Sequence, residues 1–280
     1  MISLLTKKHV IVDQPEAPLL EVRHISIAFD RPILRDVSVR VERGETLAVL
    51  GRSGTGKSVL LKLIVGLLKA DGGEVHYKGN DVTHAGEREL MALRTEIGFL
   101  FQGSALFDSM TVGQNLDFFL QKHTELDPAR REEKIIEALS MVQLQDAIDK
   151  LPSELSGGMK KRAGLARSIV LEPALMLYDE PTTGLDPLTA ASIAELILEL
   201  QQRLGIASIV VTHDLPTAFT VADRAVVLNE GHVIYEGQLE NLRDERDPFL
   251  HDYISASRLD HARRDKILSV ATHHTVRSAG

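Results

Sequence analysis

A chain of 280 residues with 44% hydrophobic composition is long enough to bury the core of one large α/β domain or two modest ones. Its 32 Lys and Arg against 40 Asp and Glu leave a formal charge of −8, the wrong sign for coating nucleic acid, so the balance argues against a nucleic-acid partner. The absence of cysteine removes disulfide scaffolds, thiolate metal sites and cysteine nucleophiles.

At the N-terminus Lys7 and Lys8 follow Ile2, Leu4 and Leu5, the reverse of a secretory signal's order, which reads as a cytoplasmic chain. Residues 1–18 close on Gln14-Pro15-Glu16-Ala17-Pro18 without helical or strand periodicity and predict an N-terminal arm ahead of a main domain over residues 19–247. Leu20–Phe29 and Ile33–Val41 alternate apolar and polar residues, the pattern of antiparallel strands with one wet face, and Glu74–Tyr77 extends it. Thr46–Leu50, Ile97–Phe101, Leu175–Tyr178 and Ile206–Val211 are instead nearly continuous apolar runs, which predicts parallel strands covered on both faces. No apolar run approaches the ~18 residues needed to cross a bilayer, and the longest, Leu60 to Leu68, is broken by Lys62.

Between the second and third of these runs, residues 103–170 predict an inserted helical subdomain, with Asp127-Pro128 opening a helix that carries Ile135, Leu139 and Val142 on one face. Residues 248–280 form a C-terminal extension. Within it Ser257–Gly280 carries five Lys or Arg against two Asp, and a solvated tail and a segment docked on a partner subunit both stay open.

Each apolar run ends abruptly in polar chemistry, and in parallel sheets ligands gather at the carboxyl ends of the strands. The first run leads into Gly51-Arg52-Ser53-Gly54-Thr55-Gly56-Lys57-Ser58, a match to G-x-x-x-x-G-K-[ST] followed by a helix face of Leu60, Leu61, Ile64 and Leu67. Its glycines let successive N–H groups point inward, the helix adds its positive end, Lys57 reaches β- and γ-phosphates, and Ser58 offers a hydroxyl to Mg2+. The third run opens onto Asp179-Glu180-Pro181. Alone, an acidic pair before proline could cap a helix, but beside a phosphate loop Asp179 becomes the Mg2+ holder and Glu180 the acceptor of a proton from attacking water. Gln102 and His213 follow the remaining runs; Gln102 is placed to touch Mg2+ or the water, and His213 to bond the γ-phosphate.

Leu155-Ser156-Gly157-Gly158-Met159 precedes a helical stretch, so Ser156, Gly157 and Gly158 sit at a second anion-attracting helix start. Two such devices in different subdomains point to a head-to-tail pair of subunits, each supplying half of a site.

The glycine loop, Gln102, Leu155–Met159, Asp179-Glu180, Gly184-Leu185-Asp186-Pro187 and His213, in that order, resemble an ABC-type ATPase from about Leu20 to Gly237. The resemblance implies a P-loop NTPase (RecA-like) α/β core with an antiparallel β subdomain and an inserted α-helical subdomain. It also implies a homodimer sandwiching two ATP molecules, with Ser156 and Gly158 serving the opposite nucleotide and Asp186 signalling across the interface. Phe29 stands where such proteins place an adenine-stacking aromatic, and a core position stays open for it.

The segments 100–112 and 155–162, with Met159 where many relatives carry Gln, resemble more narrowly the Mla/MCE-associated lipid-transport ATPases. That resemblance implies two integral membrane permease subunits, an MCE lipid-binding protein, a small STAS-fold regulator, and a place on the cytoplasmic face of the membrane. Leu106, Phe107, Met110 and Val112 fall where the family's permeases dock, with packing inside the helical subdomain as the alternative. Two other functions stay open: a non-transport ABC ATPase such as an iron–sulfur assembly factor, and a nucleotide-binding regulator that does not turn over.

Overall fold

The computed structural model describes residues 11, 13–244 and 247–255. In chain order the elements are β1 (Leu20–Ala28), β2 (Pro32–Val41), β3 (Thr46–Leu50), α1 (Lys57–Ile64), β4 (Gly72–Tyr77), β5 (Asn80–Asp81), α2 (Glu87–Glu96), β6 (Ile97–Leu100), α3 (Val112–His123), α4 (Pro128–Met141) and α5 (Gly157–Ile169). They continue with β7 (Leu175–Asp179), α6 (Pro187–Leu204), β8 (Ala207–Thr212), α7 (Leu215–Val221), β9 (Arg224–Asn229) and β10 (His232–Gln238). Residues 248–255 are helical.

Alternation in the first two strands survives a change of parity. In β1 the buried side chains are Leu20 and Val22, then Ile25 and Ile27; in β2 they are Leu34, then Val37, Val39 and Val41. The slips sit where register shifts break the ladder, next to His24 and Asp36, both in the left-handed region at φ 53 and 57. These two residues pair with each other across the bulges, Nδ1 to Oδ1 at 2.7 Å. Each bulge re-aims the following residues so that one apolar face is kept. The small antiparallel sheet has the order β2-β1-β4-β5.

The larger sheet has the order β10-β9-β3-β8-β7-β6. β9, β3, β8, β7 and β6 run parallel, and β10 closes one edge antiparallel to β9. Every residue of β3, β7 and β8 is buried, as continuous apolar runs covered on both faces require. The four expected parallel strands are present, and β9 is a fifth. Its Ala225-Val226-Val227-Leu228 run is fully buried and has the same sequence character.

Between β6 and β7 stand α3, α4 and α5. Asp127 caps α4, its side chain accepting from the Arg130 N–H at 2.9 Å with Pro128 at the first helical position, and Ile135, Leu139 and Val142 are buried as their spacing predicts. Thr111 and Gln114 form a capping box on α3: Thr111 Oγ1 accepts from the Gln114 N–H at 3.2 Å and Gln114 Oε1 from the Thr111 N–H at 2.9 Å. These helices share one core with α6 and one face of the sheet, while α1 and the antiparallel sheet share another.

At the chain's ends the described residues are engaged. Asp13 pairs with Arg43, and the Gln14 N–H donates to the Lys78 carbonyl at 3.3 Å. In the C-terminal extension, residues 248–255 bury Leu250, Tyr253 and Ile254 against Leu50, Leu215 and Ala218. The apolar spacing Leu250, Tyr253, Ile254 at i, i+3, i+4 gives this short helix one face to bury. Residues 256–280, and with them the segment Ser257–Gly280 for which a solvated tail and a docked segment stayed open, lie outside the described residues. No helix among the described residues is long and apolar enough to cross a membrane.

Candidate nucleotide site

The loop between β3 and α1 follows the course its glycines permit. Gly51 lies at φ +147, where a Cβ would stand 2.4 Å from the Leu228 carbonyl oxygen, and Gly56 at φ +99, where one would stand 2.5 Å from Leu34 Cδ2. Only glycine fits either place. α1 has no acidic residue in its first turn, so the positive end of the helix is left uncompensated for an anion.

Lys57 folds back beneath the loop. Its Nζ donates to the carbonyls of Gly51 at 2.9 Å and Arg52 at 3.1 Å and lies 3.8 Å from Glu180 Oε1. Burial pushes the ammonium below the ordinary lysine value, while Glu180 and then Asp179 pull it back up. The Ser58 hydroxyl donates to Asp179 Oδ1 at 2.6 Å, bringing an alcohol and a carboxylate from residues 121 apart into one corner.

β7 delivers both acids at its carboxyl end and turns them to different partners. Asp179 faces Ser58; Glu180 Oε2 contacts His213 Nδ1 at 2.8 Å and accepts from the Thr183 hydroxyl at 3.2 Å. Glu180 holds φ at 50, a strained geometry for a non-glycine that costs about 1–3 kcal/mol and is held by its N–H donating to the Val211 carbonyl at 2.9 Å. Both acids are almost fully buried, whereas the side chain of His213 is 51% exposed. The histidine therefore reaches from the buried carboxylate toward solvent, where a bound group would sit.

Not every expected residue joins this corner. Gln102 is exposed, and its carbonyl is what is engaged, accepting from Lys161 Nζ at 2.5 Å. Ser156 caps α5, accepting from the Met159 N–H at 3.3 Å; Ser156 and Gly157 are exposed, and no hydrogen bond or ion pair among the described residues ties them to the loop. Gly158 lets α5 approach α6, since a Cβ there would meet Thr189 Cγ2 at 2.6 Å. Asp186 caps α6, accepting from the N–H groups of Leu188 and Thr189 at 3.1 Å each, and the Thr189 hydroxyl holds its carboxyl below the usual range. Phe29 is 59% exposed and so is not a core residue. Val112 is fully buried within the helical subdomain and leaves the expected docking cluster, while Phe107 remains 40% exposed.

Two residues of α5 that the sequence reading passed over act on this site. Lys161, almost fully buried, bridges the carbonyls of Gln102 and Glu180, the latter at 3.4 Å; burial lowers its pKa, opposed by Asp179 and Glu180. The four-residue spacing of Lys161, Leu165 and Ile169 puts that ammonium on the apolar face of the helix, which was the available signal. Arg167 donates to the carbonyls of Ser104 at 3.0 Å and Ala105 at 2.5 Å, and its guanidinium lies over the Phe119 ring at 5.2 Å from the centroid. Burial brings its pKa down to about 10. Ser104 and Ala105 are consecutive left-handed residues at φ 61 and 48, so Arg167 clamps a strained turn just past Gln102.

Known proteins place this arrangement. The chain is 36% identical over 244 residues to the intermembrane phospholipid transport system ATP-binding protein MlaF of Escherichia coli, covering 87% of this chain and 91% of that protein. It is 37% identical over 246 residues to the probable ribonucleotide transport ATP-binding protein mkl of Mycobacterium leprae, covering 88% and 71%. A solved ATP-binding cassette, dimeric and in a post-hydrolysis state with ADP and Pi, superimposes with a TM-score of 0.72 at 29% identity over 79% of this chain and 98% of that one. Residues 34–183 match the ABC transporter family model, and the chain belongs to that family.

Proposed function

We propose that the chain is the ATP-hydrolysing subunit of an ABC transporter that moves phospholipid or another lipid between membranes. The observation that carries the reading is the convergence of Lys57, Ser58, Asp179, Glu180 and His213 at the ends of β3, β7 and β8. The loop N–H groups and Lys57 bind the β- and γ-phosphates of ATP. Water attacks the γ-phosphorus as the bond to the β–γ bridging oxygen breaks; Glu180 takes the water's proton, leaving ADP and phosphate. His213, fixed by Glu180, presents its outer edge to the γ-phosphoryl group. The Ser58 hydroxyl and the Asp179 carboxylate are hard oxygen donors in contact, a pair suited to Mg2+, with Gln102 as a further candidate from its strand end. Mg2+ held there would supply neutralisation of the charge that develops on the phosphate oxygens.

The chain works as a homodimer: Ser156 and Gly157 form an exposed helix start, with Gly158 half-buried behind them and no phosphate loop beside it, which supports their serving a partner's ATP, with Asp186 next to that seam and Phe29 exposed for adenine. A membrane permease docks beside the Gln102 turn. An apolar groove of about 210 Å³ lined by Leu67, Phe99, Phe101, Phe119 and Arg167 supports that position, on the membrane's cytoplasmic face. An MCE lipid-binding protein and a STAS-fold regulator complete the assembly by analogy with the MlaF-like resemblance. The relatives' transport names favour this reading over an iron–sulfur assembly factor.

The test has two arms. Phosphate release by the full chain disappears in Lys57→Ala together with nucleotide binding; normal ATP binding by Lys57→Ala overturns the loop assignment. Purification from membranes brings down permease subunits and phospholipid; a ribonucleotide cargo, or persistent activity with no membrane protein attached, overturns the lipid-transport reading.

A further inference from the structure

The helical residues 248–255 do more than cover apolar surface. Tyr253, 7% exposed, is packed with Leu50 at the end of β3 and with Leu215 and Ala218 of α7. Its hydroxyl donates to the His213 carbonyl at 3.3 Å. β3 and β8 are neighbours in parallel register, Leu50 opposite Thr212, so Gly51 and His213 are the residues at which the two strands leave the ladder. One residue thus packs on the strand that leads into the phosphate loop and holds the backbone of the histidine that contacts Glu180. The same helix also reaches the loop itself. Phe249 stacks on Tyr253 at 6.1 Å between ring centroids and lies under the Arg52 guanidinium at 5.0 Å. Burial raises the Tyr253 pKa to about 12, so the hydroxyl keeps its proton and its role as donor at neutral pH.

We infer that Tyr253 is a positioning residue for ATP hydrolysis, its hydroxyl holding the His213 backbone to the 248–255 helix, whose Phe249 lies under Arg52 of the phosphate loop, so that this helix forms part of the frame of the site. The inference rests on the ATPase reading and deepens it. An aromatic that merely anchors a helix would serve equally as phenylalanine, so the hydroxyl separates the two roles.

The experiment compares the unmodified full chain with Tyr253→Phe, Glu180→Gln, His213→Ala and the His213→Ala/Tyr253→Phe pair, following phosphate release, KM for ATP and thermal midpoint. Removal of one hydrogen bond acting on the transition state predicts that kcat of Tyr253→Phe falls about three- to tenfold with KM within about twofold. In the His213→Ala background the second substitution brings no further loss of residual turnover, because its effect runs through the histidine. Unchanged kcat in Tyr253→Phe, or an equal additional loss in the His213→Ala background, overturns the inference while leaving the ATPase reading intact. Absence of turnover in the unmodified chain overturns both.

Discussion

Replacing Glu180 by Gln keeps the side-chain volume and the strained backbone at φ 50, and removes only the charge and the capacity to take a proton. Without a base for the attacking water, turnover falls about a hundred- to ten-thousandfold, roughly 3–5.5 kcal/mol of barrier. The charge has a second consequence. Lys57 Nζ lies 3.8 Å from Glu180 Oε1 with the two side chains 6% and 12% exposed, a separation worth about 4 kcal/mol at an effective dielectric near 20. Because Lys57 keeps two carbonyl acceptors and Asp179, and can shed a proton that burial already weakens, the nucleotide-free variant loses only about 1–3 kcal/mol. At ~2–4 °C per kcal/mol for a domain of this size, its thermal midpoint drops measurably. A triphosphate replaces the lost negative charge, so ATP restores the midpoint and binds at least as tightly as to the unmodified chain. Single-turnover phosphate release, nucleotide titration and thermal unfolding with and without ATP read the three effects. A turnover rate equal to that of the unmodified chain removes Glu180 from its role, and a midpoint that ATP fails to restore refutes the Lys57 linkage.

Three further substitutions probe the frame. Gly56→Ala forces a Cβ to 2.5 Å from Leu34 Cδ2 at φ +99; strain and overpacking together cost about 2–5 kcal/mol, and nucleotide affinity measured by titration falls with the loop's geometry. Arg167→Leu strips the donors from the Ser104 and Ala105 carbonyls, about 1–3 kcal/mol for each buried group left unpaired, and hydrogen exchange over residues 103–107 accelerates more than in β7. Lys161→Met carries a pH signature. Because burial depresses the Lys161 pKa in the folded state, the unfolded chain holds that proton to higher pH, and stability rises with pH between the depressed value and the ordinary lysine value. Denaturant titrations at successive alkaline pH values show a shallower rise in Lys161→Met than in the unmodified chain.

The parts of the site that lie on strand ends were legible because each apolar run stops where its polar residue begins, and the fold then brings Ser58 and Asp179 to 2.6 Å. The family motifs carried the rest of the expected set, yet a motif does not say which atom of a residue is used. Gln102 was expected to touch Mg2+ or the water, and the atom the fold engages is its backbone carbonyl, which accepts from Lys161. Lys160, Lys161 and Arg162 form one basic run in sequence; only the helical phase makes Lys161 the buried member. Tyr253 was hidden for a different reason. Its neighbours Leu50 and His213 lie at the ends of the parallel neighbours β3 and β8, a pairing that no local pattern around residue 253 encodes. For Val112 docking and internal packing both stayed open, because an apolar residue after a turn reads equally as surface patch or as the first buried position of a helix, and its burial settles it as packing.

Helix α5 is where the two halves of the mechanism meet physically. Its exposed first turn carries Ser156 and Gly157, and five residues after Ser156 the Lys161 ammonium holds the carbonyls of Gln102 and Glu180 together. A buried ammonium cannot give up both acceptors without a loss of about 1–3 kcal/mol or more, so α5, the Gln102 turn and the backbone of Glu180 move together rather than one by one. Arg167 extends the same unit to Ser104 and Ala105 beside the apolar groove. On the proposed arrangement, a permease that displaced the Gln102 turn would therefore shift the helix start proposed to face the second subunit and the backbone of Glu180, the proposed base. The coupling needs no long pathway: it runs through one lysine and one arginine on adjacent turns of a single helix.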